Sequence, residues 1–157
     1  MKSRNVLLIG YGNPGRGDDG LGPAFSEAMS ARGLAGLDVD TDYQLVAEHA
    51  LTVTEYDLVV FADAMMDADQ PFRFDRIAPV NPASLGSHSL RPETVLALAD
   101  TLYGGAPEAW VLGIAGHEFG EVREGLSERA EGNLEAAKAF FLSWYRETIG
   151  RPVNAHA

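Results

Sequence analysis

The stretch from Val6 to Pro23 constrains the fold of this chain more than any other part of the sequence. It begins with an apolar run, Val6–Ile9, and continues as a glycine-rich loop that carries two adjacent aspartates, Asp18 and Asp19. An amphipathic segment over residues 24–31 follows. This order predicts a buried strand, a long loop and a helix. In α/β proteins, a loop that follows the first parallel strand lies at the edge of the sheet where ligands bind.

The glycines of Gly10–Gly15 match the dinucleotide-binding pattern G-x-G-x-x-G, so a nucleotide site is one interpretation of the loop. In that pattern the helix opens within the glycines, and its first amides meet the phosphates. Here Pro14 removes one amide, and the helix is delayed to about Leu21 or later. Asp18 and Asp19 would also repel phosphate. A glycine-rich turn in which one of these aspartates caps the helix is a second interpretation.

Four further segments have the composition of strands. They are Leu37–Tyr43, Asp57–Asp63, Phe72–Ile77 and Ala109–Ile114, the first of them expected at a sheet edge. Only a short segment separates Asp63 from Phe72, whereas a parallel crossover needs about a dozen residues or more. The sequence therefore predicts a three-layer α/β/α fold. Its sheet is expected to be mixed, mostly parallel and five-stranded, with the strand from Phe72 antiparallel.

Helical periodicity, together with start and stop residues, predicts four helices. They cover residues 23–32, about 45–56, 92–103 and 127–150. In the third helix, Val95, Leu98, Ala99 and Leu102 form the expected apolar stripe. The second helix carries His49, which is expected at the surface. The regularly spaced aromatic side chains of the last helix are expected to pack in the core rather than to bind a cofactor.

The composition is that of a globular protein, and residues 1–157 are expected to form a single domain. The chain has no cysteine, which excludes disulfides and a thiolate nucleophile and is compatible with the cytoplasm. A formal net charge of −11 disfavours nucleic acid and anionic membranes as partners. The N-terminal apolar run is too short for a signal peptide, and no long apolar stretch occurs elsewhere. A cytoplasmic location without membrane contact is therefore expected.

Two polar residues occupy positions at which ligands are often bound. Asp63 ends a predicted buried strand, so its side chain should emerge at the ligand-binding edge of the sheet. His88 precedes the third predicted helix, whose N-terminal dipole favours the neutral imidazole that a metal requires. Asp63 could equally be an acid that caps a helix or lies in a loop, and His88 could equally be a solvated loop histidine. The sequence pattern alone leaves these interpretations open.

One family resemblance joins these features. Gly10-x-Gly12-Asn13, followed by Asp18-Asp19-Gly20-x-Gly22, resembles the opening signature of the NiFe-hydrogenase maturation endopeptidases. The resemblance continues through Asp63, His88 and the C-terminal half, so it covers nearly the whole chain. In that family a carboxylate at the position of Asp19, a second at Asp63 and a histidine matching His88 bind metal. The resemblance implies that these three residues are both the catalytic and the metal-binding residues.

The resemblance also implies a specific activity. The family enzymes remove a C-terminal extension from the precursor of the NiFe-hydrogenase large subunit after nickel has been inserted. Cysteines of the substrate hold the nickel, and the protease recognises it there. Nickel is therefore expected to be delivered by the precursor, which is the expected protein partner. Two carboxylates and one imidazole would leave coordination positions open, as recognition and catalytic sites do.

Other functions are compatible with parts of the sequence. The loop Gly10–Gly15 could belong to a nucleotide- or phosphate-binding module, and the chain could be a non-catalytic interaction domain of the same fold. Within peptidase chemistry, Asp19 and Asp63 could share a proton as an aspartic dyad. The nearby His88 of the family pattern favours a metal instead.

Overall fold

The computed structural model describes residues 4–66, 68–80, 90–120 and 122–149. The strands in these residues are β1 Val6–Tyr11, β2 Leu37–Asp42, β3 Leu58–Met66, β4 Phe72–Ile77 and β5 Glu108–Gly116. The helices are α1 Leu21–Arg32, α2 Glu48–Val53, α3 Pro92–Tyr103 and α4 Glu128–Ile149, with a 3-10 helix at Gly17–Gly20. None of these helices has the length and apolarity required to cross a bilayer.

The strands form one sheet in the order β2-β1-β3-β5-β4. Strand β1 is parallel to β2 and β3, and β3 is parallel to β5. Strand β4 is antiparallel to β5, so the antiparallel strand predicted from the short β3–β4 connection is confirmed with its predicted bounds. The predicted edge position of β2 is confirmed as well.

Helices cover both faces of the sheet, which confirms the three-layer α/β/α prediction. On one face Val60 packs in a core with Phe25 of α1 and Phe141 of α4. On the other face Phe61 packs in a second core with Val95 of α3. Because both faces of the central strands are buried, their sequences read as continuous apolar runs.

The strand order reverses between β1 and β3. From β1 the chain passes through α1 to β2 on one side, and it returns through α2 to β3 on the other side. Open α/β sheets bind ligands at such a reversal, outside the carboxyl ends of the strands. Tyr11 ends β1 and Asp63 lies in the C-terminal half of β3, so these two residues flank the reversal.

Several element bounds differ from those predicted, and two of the differences bear on the site. Helix α1 begins at Leu21 rather than Pro23, and Pro23 lies in the first turn, where a missing amide breaks no intrahelical hydrogen bond. Strand β3 continues past Asp63 to Met66, because β5 pairs with it as far as Gly116. Asp63 is therefore an in-strand residue whose backbone is fixed by strand pairing.

Two predicted exposures are wrong. His49 is only 3% exposed, because its ring lies between α2 and two acidic side chains of the edge strand β2. Leu102, predicted in the apolar stripe of α3, is 62% exposed. Val95 and Ala99 of the predicted stripe are buried, and Leu96 and Ala97 are buried beside them, so the apolar stripe is rotated relative to the predicted one.

Candidate active site

A cleft of about 550 Å³ opens at the C-terminal end of the parallel strands, on the face of the sheet that packs against α3. Strands β1, β3 and β5 form its floor, β4 forms one wall, and the chain entering α3 forms the other. The lining residues are Tyr11, Asp63, Ala64, Met65, Arg73, Asp75, Ile77, Leu90, Arg91, Pro92, Glu93, Val111 and Gly113. The floor of the cleft thus carries one carboxylate, and its two walls carry both positively and negatively charged side chains.

Three residues of the cleft are aligned across neighbouring strands. Asp63 of β3 is in register with Gly113 of β5, which is in register with Arg73 of β4. A Cβ at Gly113 would have as its nearest neighbour the side chain of Met65, with its Sδ at 3.3 Å. Glycine inside a strand often marks the close approach of a ligand or another backbone. The Met65 side chain therefore covers Gly113 between the carboxylate and the guanidinium, and an extended chain segment can lie there only after this side chain moves.

The carboxylate of Asp63 is half-buried and bonded at both oxygens. Its Oδ2 accepts a hydrogen bond from the Tyr11 hydroxyl at 2.9 Å, and its Oδ1 accepts one from the amide of Ala64 at 2.7 Å. Burial raises the pKa of Asp63 to about 6 even though both hydrogen bonds act to lower it. The charge of Asp19 also raises this pKa, and Arg91 lowers it. Asp63 therefore changes its charge close to neutral pH.

Tyr11 lies beside Asp63 at the end of β1. Burial is the largest cause that raises the pKa of its phenol well above the ordinary value, followed by the charge of Asp63 and the hydrogen bond to it. The phenol therefore remains protonated at neutral pH and acts as a donor. The tyrosine and the aspartate form one polar pair at the strand-order reversal.

Asp19 lies in the 3-10 helix that precedes α1 and is half-buried. Its Oδ2 accepts a hydrogen bond from the amide of Asn13 at 2.7 Å. Its carboxylate is not among the described groups that line the cleft, but its charge acts on the pKa of Asp63. Asp19 therefore acts on the pKa of Asp63 without lining the same cleft.

Asp18 has a different environment from its neighbour, because its side chain is fully buried. Its Oδ2 accepts hydrogen bonds from the amides of His117 and Glu118 and from the Ser127 hydroxyl, and its Oδ1 accepts the amide of Ser127. Burial alone would raise the pKa of Asp18, but these donors bring it below the usual range. No side chain caps α1, so the capping interpretation is wrong. Asp18 instead joins the glycine-rich loop to the segment before α4.

The amides of the glycine-rich loop already have protein acceptors, which removes the basis of the nucleotide interpretation. The amide of Asn13 donates to Asp19, and that of Gly15 donates to the side chain of Asn13. The amides of Gly12, Arg16, Gly17 and Asp18 donate to the carbonyls of Asp42, Asn13, Arg123 and Glu118. Because a phosphate cradle needs free amides directed at the ligand, this loop is not organised as one.

Two glycines of the signature are required for close packing. A Cβ at Gly22 would collide with the carbonyl oxygen of Tyr11, and one at Gly10 would collide with the carbonyl oxygen of Gly22. Helix α1 consequently begins in direct contact with the ends of β1 and β3. This contact places the turn that carries Asp19 beside the strand that carries Asp63.

The third predicted site residue, His88, lies outside the described residues. The chain is described again from Leu90, and both Leu90 and Arg91 line the cleft. The metal-binding role of His88 therefore stays a prediction.

Among the described residues, the side chains of Asp40, Asp42 and His49 are spaced as metal ligands would be, with ligand atoms within 4.8 Å of one another. The amide of Val46 donates to Nδ1 of His49 at 2.9 Å, so the proton of the neutral ring is on Nε2. Nε2 lies 3.4 Å from an oxygen of Asp40 and 3.6 Å from one of Asp42. A metal on Nε2 would require an imidazolate. The trio therefore serves to hold α2 against the edge strand.

Sequence reasoning missed Tyr11 and the anchoring role of Asp18. Because side chains alternate between the two faces of a strand, Tyr11 lies on the same face of β1 as Leu7 and Ile9. This alternation is the sequence signal from which the position of Tyr11 could have been predicted. For Asp18 the sequence gives no local signal, because its partner Ser127 is 109 residues away.

Comparisons with known proteins bear on the fold. No family model matches the sequence, and no curated protein matches it.

Solved structures do match. The [NiFe] hydrogenase maturation protease HycI from Thermococcus kodakarensis KOD1 is 19% identical, over 92% of this chain and 94% of that chain, with a TM-score of 0.70. The hydrogenase maturating endopeptidase HybD from E. coli is 21% identical, over 94% and 93%, with a TM-score of 0.67. A hydrogenase 2 maturation peptidase from Thaumarchaeota archaeon SCGC_AB-539-E09 is 21% identical, over 90% and 98%, with a TM-score of 0.65. The chain therefore has the fold of these proteases along nearly its whole described length.

Proposed function

We propose that this chain is an endopeptidase that removes the C-terminal extension of a NiFe-hydrogenase large-subunit precursor after nickel insertion. One observation carries the proposal. In a fold shared with hydrogenase maturation proteases, Asp63 lies in a cleft at the strand-order reversal and interacts electrostatically with Asp19. Two carboxylates of which one acts on the pKa of the other are suited to hydrolytic chemistry or to binding a metal. The absence of cysteine from the sequence is compatible with action in the cytoplasm.

The proposed site consists of Asp19, Asp63 and His88, and the nickel belongs to the substrate. Two carboxylates and one imidazole are an incomplete and mostly hard ligand set, which should bind nickel weakly without the precursor. The thiolates of a nickel-loaded precursor would complete the coordination. The protease would then cut only after cofactor assembly. Asp19 stands where relatives often have glutamate, and its shorter side chain requires its turn to lie closer to the metal.

The cleft supplies the other requirements of peptide cleavage. Asp63 is mostly ionised above about pH 6, where it can bind a cation or accept a proton from water. The cleft offers room for a polypeptide next to this carboxylate, and the Met65 side chain over Gly113 must move for an extended segment to lie there. Arg73 and Arg91 provide positive charge on opposite walls of the cleft, which can balance charge that develops on the scissile carbonyl.

A second mechanism for the same reaction has one observation in its favour. The charge of Asp19 raises the pKa of Asp63, as is expected for two carboxylates that share chemistry without a metal. In that mechanism one carboxylate would activate water while the other, protonated, would donate to the scissile carbonyl. The two mechanisms differ in whether cleavage depends on nickel in the precursor.

The proposed function is tested by incubating the purified protein with nickel-loaded large-subunit precursor and measuring precursor mass. Wild type should shorten the precursor at one C-terminal bond. Asp19→Asn and Asp63→Asn should each lose most cleavage, because a neutral amide is a poorer ligand and a poorer base than a carboxylate. Asp100→Asn changes an exposed acid on α3 and is the matched control that should retain full activity. Full activity of Asp63→Asn would contradict the assignment of the site.

A further inference from the structure

Tyr11 occupies a position that the proposed function does not yet use. It is the last residue of β1, and strand alternation directs its side chain to the α3 face of the sheet, into the cleft. Its hydroxyl donates to Oδ2 of Asp63 at 2.9 Å, across two strands that flank the reversal of strand order. Gly12, the next residue, has a φ of 145°, which allows the chain to turn immediately after Tyr11. The ring is therefore fixed by the strand on which it is carried.

The hydrogen bond determines how the Asp63 carboxylate is oriented. One oxygen is held by the amide of Ala64, the next residue of the chain, at 2.7 Å. The other is held by Tyr11 from the neighbouring strand. Two donors in different directions fix both torsions of a short side chain. Each oxygen keeps a further lone pair for a ligand or a proton.

Among the residues that the structure describes, no comparable hydrogen-bond donor holds the opposite side of Asp63. Its register neighbour there is Gly113, which has no side chain, and Met65 is the nearest group above that glycine. Without the Tyr11 hydroxyl, the carboxylate could therefore rotate toward Gly113. Tyr11 is the cross-strand donor that opposes this rotation.

We infer that Tyr11 is a positioning residue, whose hydroxyl holds the Asp63 carboxylate in the orientation that peptide cleavage requires. The inference rests on the proposed function of Asp63 as a site residue. Tyr11 donates to that carboxylate and is assigned no contact with the scissile bond. Groups that position a site carboxylate in this way are worth about 10- to 100-fold in activity when removed.

The test uses Tyr11→Phe, which deletes the hydroxyl and keeps the ring. Its matched control is Tyr56→Phe, which deletes a hydroxyl that donates to Asp38 at 2.7 Å outside the cleft. With nickel-loaded precursor, Tyr11→Phe should lower kcat about 10- to 100-fold and change KM less than about twofold. Tyr56→Phe should leave both constants unchanged. The two variants should unfold at similar temperatures. Wild-type kcat in Tyr11→Phe would overturn the inference.

A second readout is independent of cleavage. Three-bond couplings of the Asp63 side chain, measured by NMR, report its χ1 rotamer. Wild type and Tyr56→Phe should show one rotamer, and Tyr11→Phe should show an average over several. A single unchanged rotamer in Tyr11→Phe would contradict positioning by the hydroxyl. If wild type cleaves no precursor, the proposed function fails, and the rotamer comparison still decides the role of Tyr11.

Discussion

Replacing Asp63 by asparagine should make the folded protein more stable near neutral pH while it removes activity. The carboxylate is held in an environment that raises its pKa, chiefly through burial. Asparagine has almost the same shape and no charge; its oxygen can accept from the Ala64 amide while its NH2 group donates to the Tyr11 hydroxyl, so both contacts are kept. The variant therefore removes the cost of ionising a buried group without opening a cavity. Greater stability of an inactive variant is expected when a charged group is kept for function.

The magnitude follows from linkage. The pKa of Asp63 is about 6 in the folded protein and 3.8 for the ordinary side chain. A difference of this size corresponds to about 3 kcal/mol of unfolding free energy. Because the pKa of Asp63 is raised in the folded protein, its protonated form contributes its full stability below about pH 4. That contribution to the unfolding free energy is lost as the pH rises through about 6 and the buried carboxyl group ionises. From about pH 4 to about pH 8, the stability of Asp63→Asn relative to wild type should rise by about 2 to 3 kcal/mol, with most of the rise complete by about pH 6.

Urea unfolding of both proteins at several pH values measures this difference. Asp100→Asn, which changes an exposed acid on α3, is the control and should differ from wild type by less than about 0.5 kcal/mol throughout. A constant difference between Asp63→Asn and wild type across the pH range would refute the reasoning, as would a loss of stability that grows with pH. Either result would mean that the Asp63 carboxylate is not held at a raised pKa.

Three other substitutions test separate parts of the account. Asp18→Asn should lower the unfolding free energy by about 2 to 4 kcal/mol at neutral pH, because a buried acceptor of four hydrogen bonds is replaced by an amide. Since the pKa of Asp18 is lowered on folding, this loss should shrink as pH falls below about 4, and urea unfolding checks both statements. Gly113→Ala should fold, because only the Met65 side chain must move, and should raise KM for the precursor; an unchanged KM would contradict a substrate path over Gly113. His49→Gln should leave nickel binding unchanged in calorimetric titration, whereas loss of a binding site would contradict the assigned tautomer.

The sequence was sufficient to predict the architecture, because the signals for it are local. Apolar runs indicate parallel strands that are covered on both faces, and the short segment between Asp63 and Phe72 excludes a parallel crossover. Strand β4 and helix α3 have the predicted bounds. These features depend on neighbouring residues and on chain length alone, so no tertiary information was needed.

The errors concern residues whose environment is set by distant parts of the chain. The sequence offers Asp18 or Asp19 as a helix cap because a cap is the local use of an aspartate before a helix. The actual donors to Asp18 belong to His117, Glu118 and Ser127, which only the folded chain brings near. His49 was assigned to the surface from its polarity, yet the edge strand covers it with acidic partners.

The candidate site was predictable only in part. Asp63 was found because the C-terminal half of a buried parallel strand leads to the ligand-binding edge. Its grouping with Asp19 came from a family resemblance, and the electrostatic interaction between them required the contact of α1 with the strand ends. The pairing of Tyr11 with Asp63 depends on strand order, which no local pattern contains. The role of His88 stays a prediction.

We propose that this chain cuts only a precursor that already carries nickel. The most direct measurement compares cleavage of nickel-loaded and nickel-free precursor by metal-stripped protein in single-turnover reactions. The proposed site of Asp19, Asp63 and His88 predicts that the loaded precursor is cut and the nickel-free precursor is spared. Cutting of both precursors at similar rates would contradict nickel recognition and would favour direct acid–base catalysis by the two aspartates.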